Sequence, residues 1–229
     1  ISRSLYGALI PQARAAELPF EDRLALLVER QWLWKENRSL AARLHYAQLK
    51  DPACLEDVDF REARGLKRSV LDQLATCEWV KHHQTVIVTG PTGTGKTFLA
   101  CALAQKACRE GYRAIYCYAP KLMRELALAQ ADGSLPKLLK KIAKAQLLVV
   151  DDWGLAKVDE QRYRDFLEIL DDRQGSGATL MTSQFPVSAW HETIPDPTVA
   201  DASLDRQVHN AHRLELKGES MRKRKNKAA

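Results

Sequence analysis

Two short runs in this chain have the residue types and spacing to handle a nucleoside triphosphate. The first is Gly90-Pro91-Thr92-Gly93-Thr94-Gly95-Lys96-Thr97, which follows the phosphate-loop pattern G-x-x-x-x-G-K-[ST]. Its glycines leave no Cβ to obstruct backbone N–H groups that must converge on a phosphate. Lys96 is then placed to reach the β and γ phosphates of ATP, and the Thr97 hydroxyl to help hold Mg2+. The second run, Leu147 to Asp152, is apolar and ends in paired carboxylates. Asp151 is suited to hold magnesium directly or through water, and Asp152 to orient an attacking water. A chance glycine turn and an ordinary Asp-Asp turn are the competing readings; the two runs occurring together, each with fitting flanks, argue against both.

Further polar groups fall where they could complete such a site. In Thr182-Ser183-Gln184, Ser183 or Gln184 could sense a γ phosphate by a hydrogen bond, or the run could be a plain strand-to-loop turn. Phosphoryl transfer also needs positive charge on its transition state. Arg206 and Arg222 are the candidates, and either could equally be a surface arginine.

Positioning these groups takes a strand before each run and a helix after the glycine loop. Val86-Ile87-Val88 supplies the first strand, and the alanine-rich Phe98 to Arg109 the helix, which Gly111 can close. Further strands are expected at Ala114–Tyr118, Leu147–Asp151, Ala178–Thr182 and Arg213–Leu216. Helices between them are expected at Lys121–Ala129, Leu135–Lys144, Glu160–Arg173, capped by Asp159, and around Asp201–Asn210. Alternating strands and helices predict an α/β fold: a mainly parallel five-stranded sheet with helices on both faces.

Ahead of this core, residues 1 to about 50 read as helical, with Phe20, Leu24, Leu27 and Val28 at helical spacing. Basic and aromatic residues alternate there, yet Glu21, Asp22, Glu29 and Glu36 nearly cancel the charge. That stripe needs a neighbour or DNA to cover it. Leu55–Phe60 reads as an extended linker and Arg61–Trp79 as an amphipathic helix. The expected organisation is a small all-helical module at 1–54, a linker and helix at 55–84, and an ATP-binding domain at 85–229.

Composition narrows the class. At 45% hydrophobic and 28% charged residues the chain is ordinary for a globular protein, and no apolar run reaches the roughly 18 residues of a membrane span. Neither the sequence from Ile1 to Ile10 nor its charge resembles a signal peptide, so a cytoplasmic protein whose first residues precede Ile1 is expected. Five cysteines without C-x-x-C spacing suggest free core thiols, and no structural metal is expected. The net charge of +6 is concentrated from Lys217 onward, where six Lys or Arg meet one Glu. Such a tail suits nucleic-acid phosphate, or is a solvated end. Lys137, Lys140, Lys141 and Lys144 recur at helical spacing, so they share a side that could track DNA phosphates or simply face water.

Taken in order, GPTGTGKT, LLVVDDWG, TSQFP, LDRQVHNAHRLEL and KGESMRKRK resemble the IstB transposition helpers, of the DnaC-like clade of AAA+ ATPases. The likeness covers about 55–225 closely and the front end more loosely. It implies ATP-driven self-assembly on duplex DNA in support of a partner transposase, as a homo-oligomer with ATP at subunit interfaces. It implies nucleotide binding by Gly90 to Thr97, a second acidic motif at Asp151 and Asp152, and a first sensor at Ser183 with Gln184. Arg206 becomes a finger reaching a neighbouring subunit, and Arg222 a second sensor. Many AAA+ enzymes carry Glu where Asp152 stands, which implies slow hydrolysis. The helix pair before Leu147 resembles the DNA-contacting insertion of initiator-type AAA+ proteins. A helicase loader of the same fold, a small-molecule kinase and a non-hydrolysing scaffold are the alternatives.

Overall fold

The computed structural model describes residues 18–60, 64–155, 159–190 and 211–221. Two compact units emerge, Ile1–Ala42 and Arg43–Ala229. Of the first, the described part is helical from Phe20 onward, the opening portion of helix α1 (Phe20–Ala47). Its apolar residues are spread around the helix rather than on one stripe, and Phe20, Leu24, Val28 and Trp32 are all exposed. The Arg38 guanidinium sits 5.2 Å from the centre of the Trp34 ring, a cation–π contact within the unit.

The second unit is built on five parallel strands: β1 (Thr85–Thr89), β2 (Ala114–Tyr118), β3 (Leu147–Trp153), β4 (Ala178–Ser183) and β5 (His212–Glu215). Their spatial order is β2-β3-β4-β1-β5, and every pairing is parallel. Both faces are covered, which is why β1 and β4 are buried throughout and β3 nearly so.

Strand register sorts the side chains. Ile87, Ile115, Leu148, Val150 and Met181 share the face covered by helices α5 (Ala119–Asp132), α6 (Leu135–Ala143) and α7 (Glu160–Arg173). There Trp153 stacks on Phe166 with centroids 4.4 Å apart and meets Trp190 edge-on. Such pairs add about 0.5–1.5 kcal/mol each beyond their burial. The other face, carrying Tyr116, Asp151 and Thr182, is covered by helix α4 (Lys96–Arg109) and by the chain around Ala53. Cys101 and Cys108 lie fully buried on α4, and all five cysteines are free thiols. Burial, the main cause, pushes Cys77 and Cys117 up to about 11.

Expected and observed elements differ mainly before the core. In place of one helix over Arg61–Trp79 there are α2 (Arg68–Ala75) and the single turn α3 (Glu78–Lys81). Gly65, at φ 77°, precedes α2 so closely under Glu215 that a Cβ would lie 2.8 Å from its carbonyl oxygen, which rules out a helix passing through. Cys77, at φ 58°, ends α2, and the Leu74 carbonyl accepts both the Cys77 N–H (3.1 Å) and the Trp79 indole N–H (2.9 Å). The expected extended linker contains a 3₁₀ turn at Leu55–Asp57. In the core, α5 starts two residues early and runs on to Asp132, where Gly133 at φ 74° stops it. Asp159 caps α7 as expected, accepting from the Arg162 N–H. The helix expected around Asp201–Asn210 lies outside the described residues.

A buried arginine locks the helical layer to the sheet. Arg173, at the end of α7, donates to the carbonyls of Ile142, Ala145, Gln146 and Ala178, from 2.6 to 3.2 Å. Burial lowers its pKa to about 10. A cation at the C-terminal end of α6 also meets the negative end of that helix's dipole. Arg43, in the last turns of α1, donates to the Cys108 carbonyl (2.8 Å), and Tyr46 to that of Lys141 (3.1 Å).

Candidate functional site

The glycine loop leaves β1 at Gly90 and enters α4 at Lys96, so its backbone N–H groups and the positive end of a 14-residue helix converge. No side chain caps that helix start, which leaves its first N–H groups to a ligand. Gly93 and Gly95, at φ 86° and 94°, turn the loop through the left-handed region. A Cβ on Gly93 would overlap the Ser220 hydroxyl. Lys96 is buried, and its ammonium donates to the loop's own carbonyls at Gly90 (2.7 Å) and Pro91 (2.9 Å).

Asp151 is the centre of the second half. Its carboxylate is fully buried and accepts from Thr97 (3.0 and 2.9 Å), Thr182 (2.6 Å) and Tyr116 (2.6 Å). Burial, then the bond to Asp151, raises the Tyr116 pKa far above the usual phenol value, so Tyr116 is a permanent donor. The Lys50 ammonium adds positive charge 3.8 Å from Oδ2. Thr97 and Asp151 form an all-oxygen donor pair, the chemistry Mg2+ selects. Among the described residues no cluster of three His, Cys, Asp or Glu exists to cage a metal. One carboxylate and one hydroxyl, with phosphates completing the shell, is the arrangement magnesium uses with nucleotides.

A one-residue bulge shapes the next position. Val150 pairs with Met181 and Trp153 with Ser183, so Asp151 and Asp152 together oppose Thr182. The Thr182 hydroxyl fills the gap: it donates to Asp151 and accepts the Asp152 N–H (2.9 Å). Asp152 itself takes φ 59°, a left-handed conformation that Asp tolerates better than most residues, at a cost of about 1–3 kcal/mol. Burial raises its pKa and the charge of Asp151 raises it further; Lys50, Lys96 and a hydrogen bond from Gln184 act in the other direction.

Of the expected site residues, the structure brings together the loop, Thr97 with Asp151, and Gln184, whose amide oxygen accepts from Thr92 (2.7 Å). Gln184 thus bridges the loop and the second acid. The Ser183 hydroxyl donates to the Trp153 carbonyl (2.8 Å) and accepts the Phe185 N–H (3.1 Å), within the strand-to-loop turn. Lys137, Lys140, Lys141 and Lys144 lie on and just beyond α6, whose buried residue is Ile142. Arg206 and Arg222 lie outside the described residues.

Four contributors escaped the sequence reading: Lys50, Arg64, Tyr116 and Thr182. Thr182 and Tyr116 carried a signal, since each follows the period-two alternation of its strand onto the Asp151 face. Arg64 carried none. It donates to the Thr94 carbonyl (3.0 Å) and the Asp59 carbonyl (2.8 Å), while its own carbonyl accepts the Lys217 N–H (2.8 Å). The segment after β5 continues along the loop through Leu216 N–H to Thr89 (2.7 Å) and Met221 N–H to Gly93 (2.9 Å).

Comparison with known proteins agrees with this geometry. The IstB-like ATP binding protein family matches residues 4–229. An insertion-sequence ATP-binding protein of Sinorhizobium fredii, y4pL, is 48% identical over 218 residues, covering 95% of this chain and 89% of that one. The IS21 insertion-sequence ATP-binding protein of Pseudomonas aeruginosa is 32% identical, over 96% and 84% of the two chains. Among solved structures, DnaI superposes with a TM-score of 0.63 at 26% identity, over 72% of this chain and 91% of that one. Among the described residues, no helix is long and apolar enough to cross a membrane. With its glycine loop, its Thr97–Asp151 pair and a likeness spanning nearly its whole length, this chain belongs to the family of IstB-like ATP-binding proteins and has the AAA+ fold.

Proposed function

We propose that the chain is an ATP-dependent, DNA-binding regulator of transposition, assembling on duplex DNA and assisting a transposase in choosing and joining a target. The observation that supports this best is the hydrogen-bonded pair of Thr97, at the start of α4 behind the glycine loop, and Asp151, on β3, in a chain whose relatives come from insertion sequences. Lys96 would leave the Gly90 and Pro91 carbonyls for the β and γ phosphates, which offer far stronger acceptors. Thr97 and Asp151 would hold Mg2+, which supplies charge neutralisation at the phosphates. Asp152 would orient the attacking water, and its short, half-buried side chain favours slow hydrolysis. Gln184, between Thr92 and Asp152, would report the γ phosphate to both.

Arg206 is proposed as the finger that completes a neighbour's site, and Arg222 as the second sensor. Met221, beside Arg222, already bonds to Gly93 of the loop, which supports that placement. The four lysines on and just beyond α6 would track DNA phosphates, and residues 1–54 would serve assembly or DNA contact ahead of a linker at 55–84 and the ATP-binding domain at 85–229.

The deciding experiment measures ATP turnover and sedimentation with and without duplex DNA. Turnover and assembly should both rise with duplex and be lost in Lys96→Ala, which should no longer retain nucleotide. Changing Lys137, Lys140, Lys141 and Lys144 together to Ala should weaken duplex binding and flatten its salt dependence by roughly 0.9 in log–log slope for each phosphate no longer neutralised. Turnover indifferent to DNA would refute the proposal. Stronger stimulation by single strands would favour a helicase loader instead.

A further inference from the structure

We infer that Lys50 is the counter-ion of the buried Asp151 carboxylate and sets the magnesium concentration at which nucleotide binds. This rests on the nucleotide reading of the site. Three of the groups that touch Asp151 are neutral hydroxyls, those of Thr97, Thr182 and Tyr116, so they orient the carboxylate without balancing its charge. Lys96, the cation expected nearest the phosphates, points instead at the Gly90 and Pro91 carbonyls. Lys50 fills that role, with its ammonium 3.8 Å from Asp151 Oδ2 and 5.3 Å from the centre of the Tyr118 ring.

That position follows from the fold. Tyr118 is the register partner of Asp151 in the β2–β3 pairing, so ring and carboxylate rise from the same sheet face. Gln48, at φ 50°, turns the chain just after α1 ends and delivers Lys50 over that ring. Lys50 also pulls on Asp152, and does so more strongly than Lys96.

Burying a carboxylate is costly even with three hydroxyl donors, and a nearby cation offsets part of that cost. Lys50 is that cation until a divalent ion arrives with the triphosphate. The two cations then compete for one carboxylate, and Lys50 gives way. Its side chain is 45% exposed, so the ammonium can return to water at little cost.

The test titrates MgCl2 against binding of a fluorescent, non-hydrolysable ATP analogue to the full chain, read by anisotropy. A partly exposed pair of this kind predicts a magnesium midpoint about two- to fivefold lower in Lys50→Ala. Lys50→Arg, which keeps the charge, should hold near the wild-type midpoint. Lys106→Ala removes an ammonium that pairs with Glu110 at the end of α4 and serves as the control for net charge. An unchanged or raised midpoint in Lys50→Ala, or an equal fall in Lys106→Ala, would overturn the inference while leaving the nucleotide site intact. A wild-type chain that binds no analogue at any magnesium concentration would instead refute the nucleotide reading itself, and Lys50 with it.

Discussion

Replacing Thr182 by Val keeps the β-branched shape of a fully buried strand residue and deletes one oxygen. That oxygen has two partners: it donates to Asp151 at 2.6 Å and accepts the Asp152 N–H at 2.9 Å. A hydrogen bond to a charged group contributes about 1.5–3 kcal/mol, and a buried N–H left without a partner costs about 1–3 kcal/mol. Asp151 keeps its other donors, Thr97 and Tyr116, so the two effects fall short of their sum, and a net loss of about 3 kcal/mol is expected. For a chain of this length that corresponds to a melting point lower by about 6–12 °C. Thr182→Ser keeps the hydroxyl and should lose much less. Calorimetry on the three proteins, paired with titration of a non-hydrolysable ATP analogue, would measure both consequences. Affinity should drop several-fold in Thr182→Val because Asp151 is less firmly aimed at Thr97. A melting point within about 2 °C of wild type, less than a 1 kcal/mol change would give, and unaltered affinity would show that the bulge does not depend on this hydroxyl and that the site is organised otherwise.

Asp152 should respond to pH in a defined direction. Its folded pKa is raised by burial and by Asp151, so the folded state binds its proton more tightly than the unfolded chain does. Any stability from that difference is fully present below the ordinary carboxylate value and is lost as pH rises through the raised folded value. Asp152→Asn should therefore be more stable than wild type at neutral pH, with the gap closing as pH falls toward about 4; a gap independent of pH would refute the assignment. Arg173→Met should be among the most destabilising single changes in the core, at about 3 kcal/mol or more, because it removes the guanidinium's bonds to the carbonyls of Ile142, Ala145, Gln146 and Ala178 together, of which Ile142 and Gln146 keep a backbone N–H. Denaturant unfolding would measure it, and a loss below about 1 kcal/mol would show that water replaces the guanidinium.

The sequence alone determined the parts of this protein that are local in the chain. The glycine loop, the apolar strand ending in Asp151, the Asp159 cap and the strand-helix alternation are each set by a few consecutive residues whose backbone preferences and apolar pattern agree. From these follow the parallel five-stranded sheet and the nearness of Thr97 to Asp151. Where neighbours in space decide, the sequence reading stopped short. The expected helix over Arg61–Trp79 looked continuous because its apolar period is unbroken, yet Gly65 under Glu215 and the left-handed turn at Cys77 divide it.

The surroundings of Asp151 show the same division. Thr97, Tyr116 and Thr182 stand 54, 35 and 31 residues from it along the chain. Only strand register, with one extra residue bulged into β3, puts their hydroxyls on a single carboxylate. Lys50 and Arg64 come from outside the sheet altogether, and packing against Tyr118 and the glycine loop gives them their places. Residue order along the chain decides which side chains can do the chemistry, because that is a property of side-chain type. Tertiary structure decides which of them share a charge, because electrostatic and hydrogen-bond energies depend on separations of a few ångströms that no spacing along the chain records.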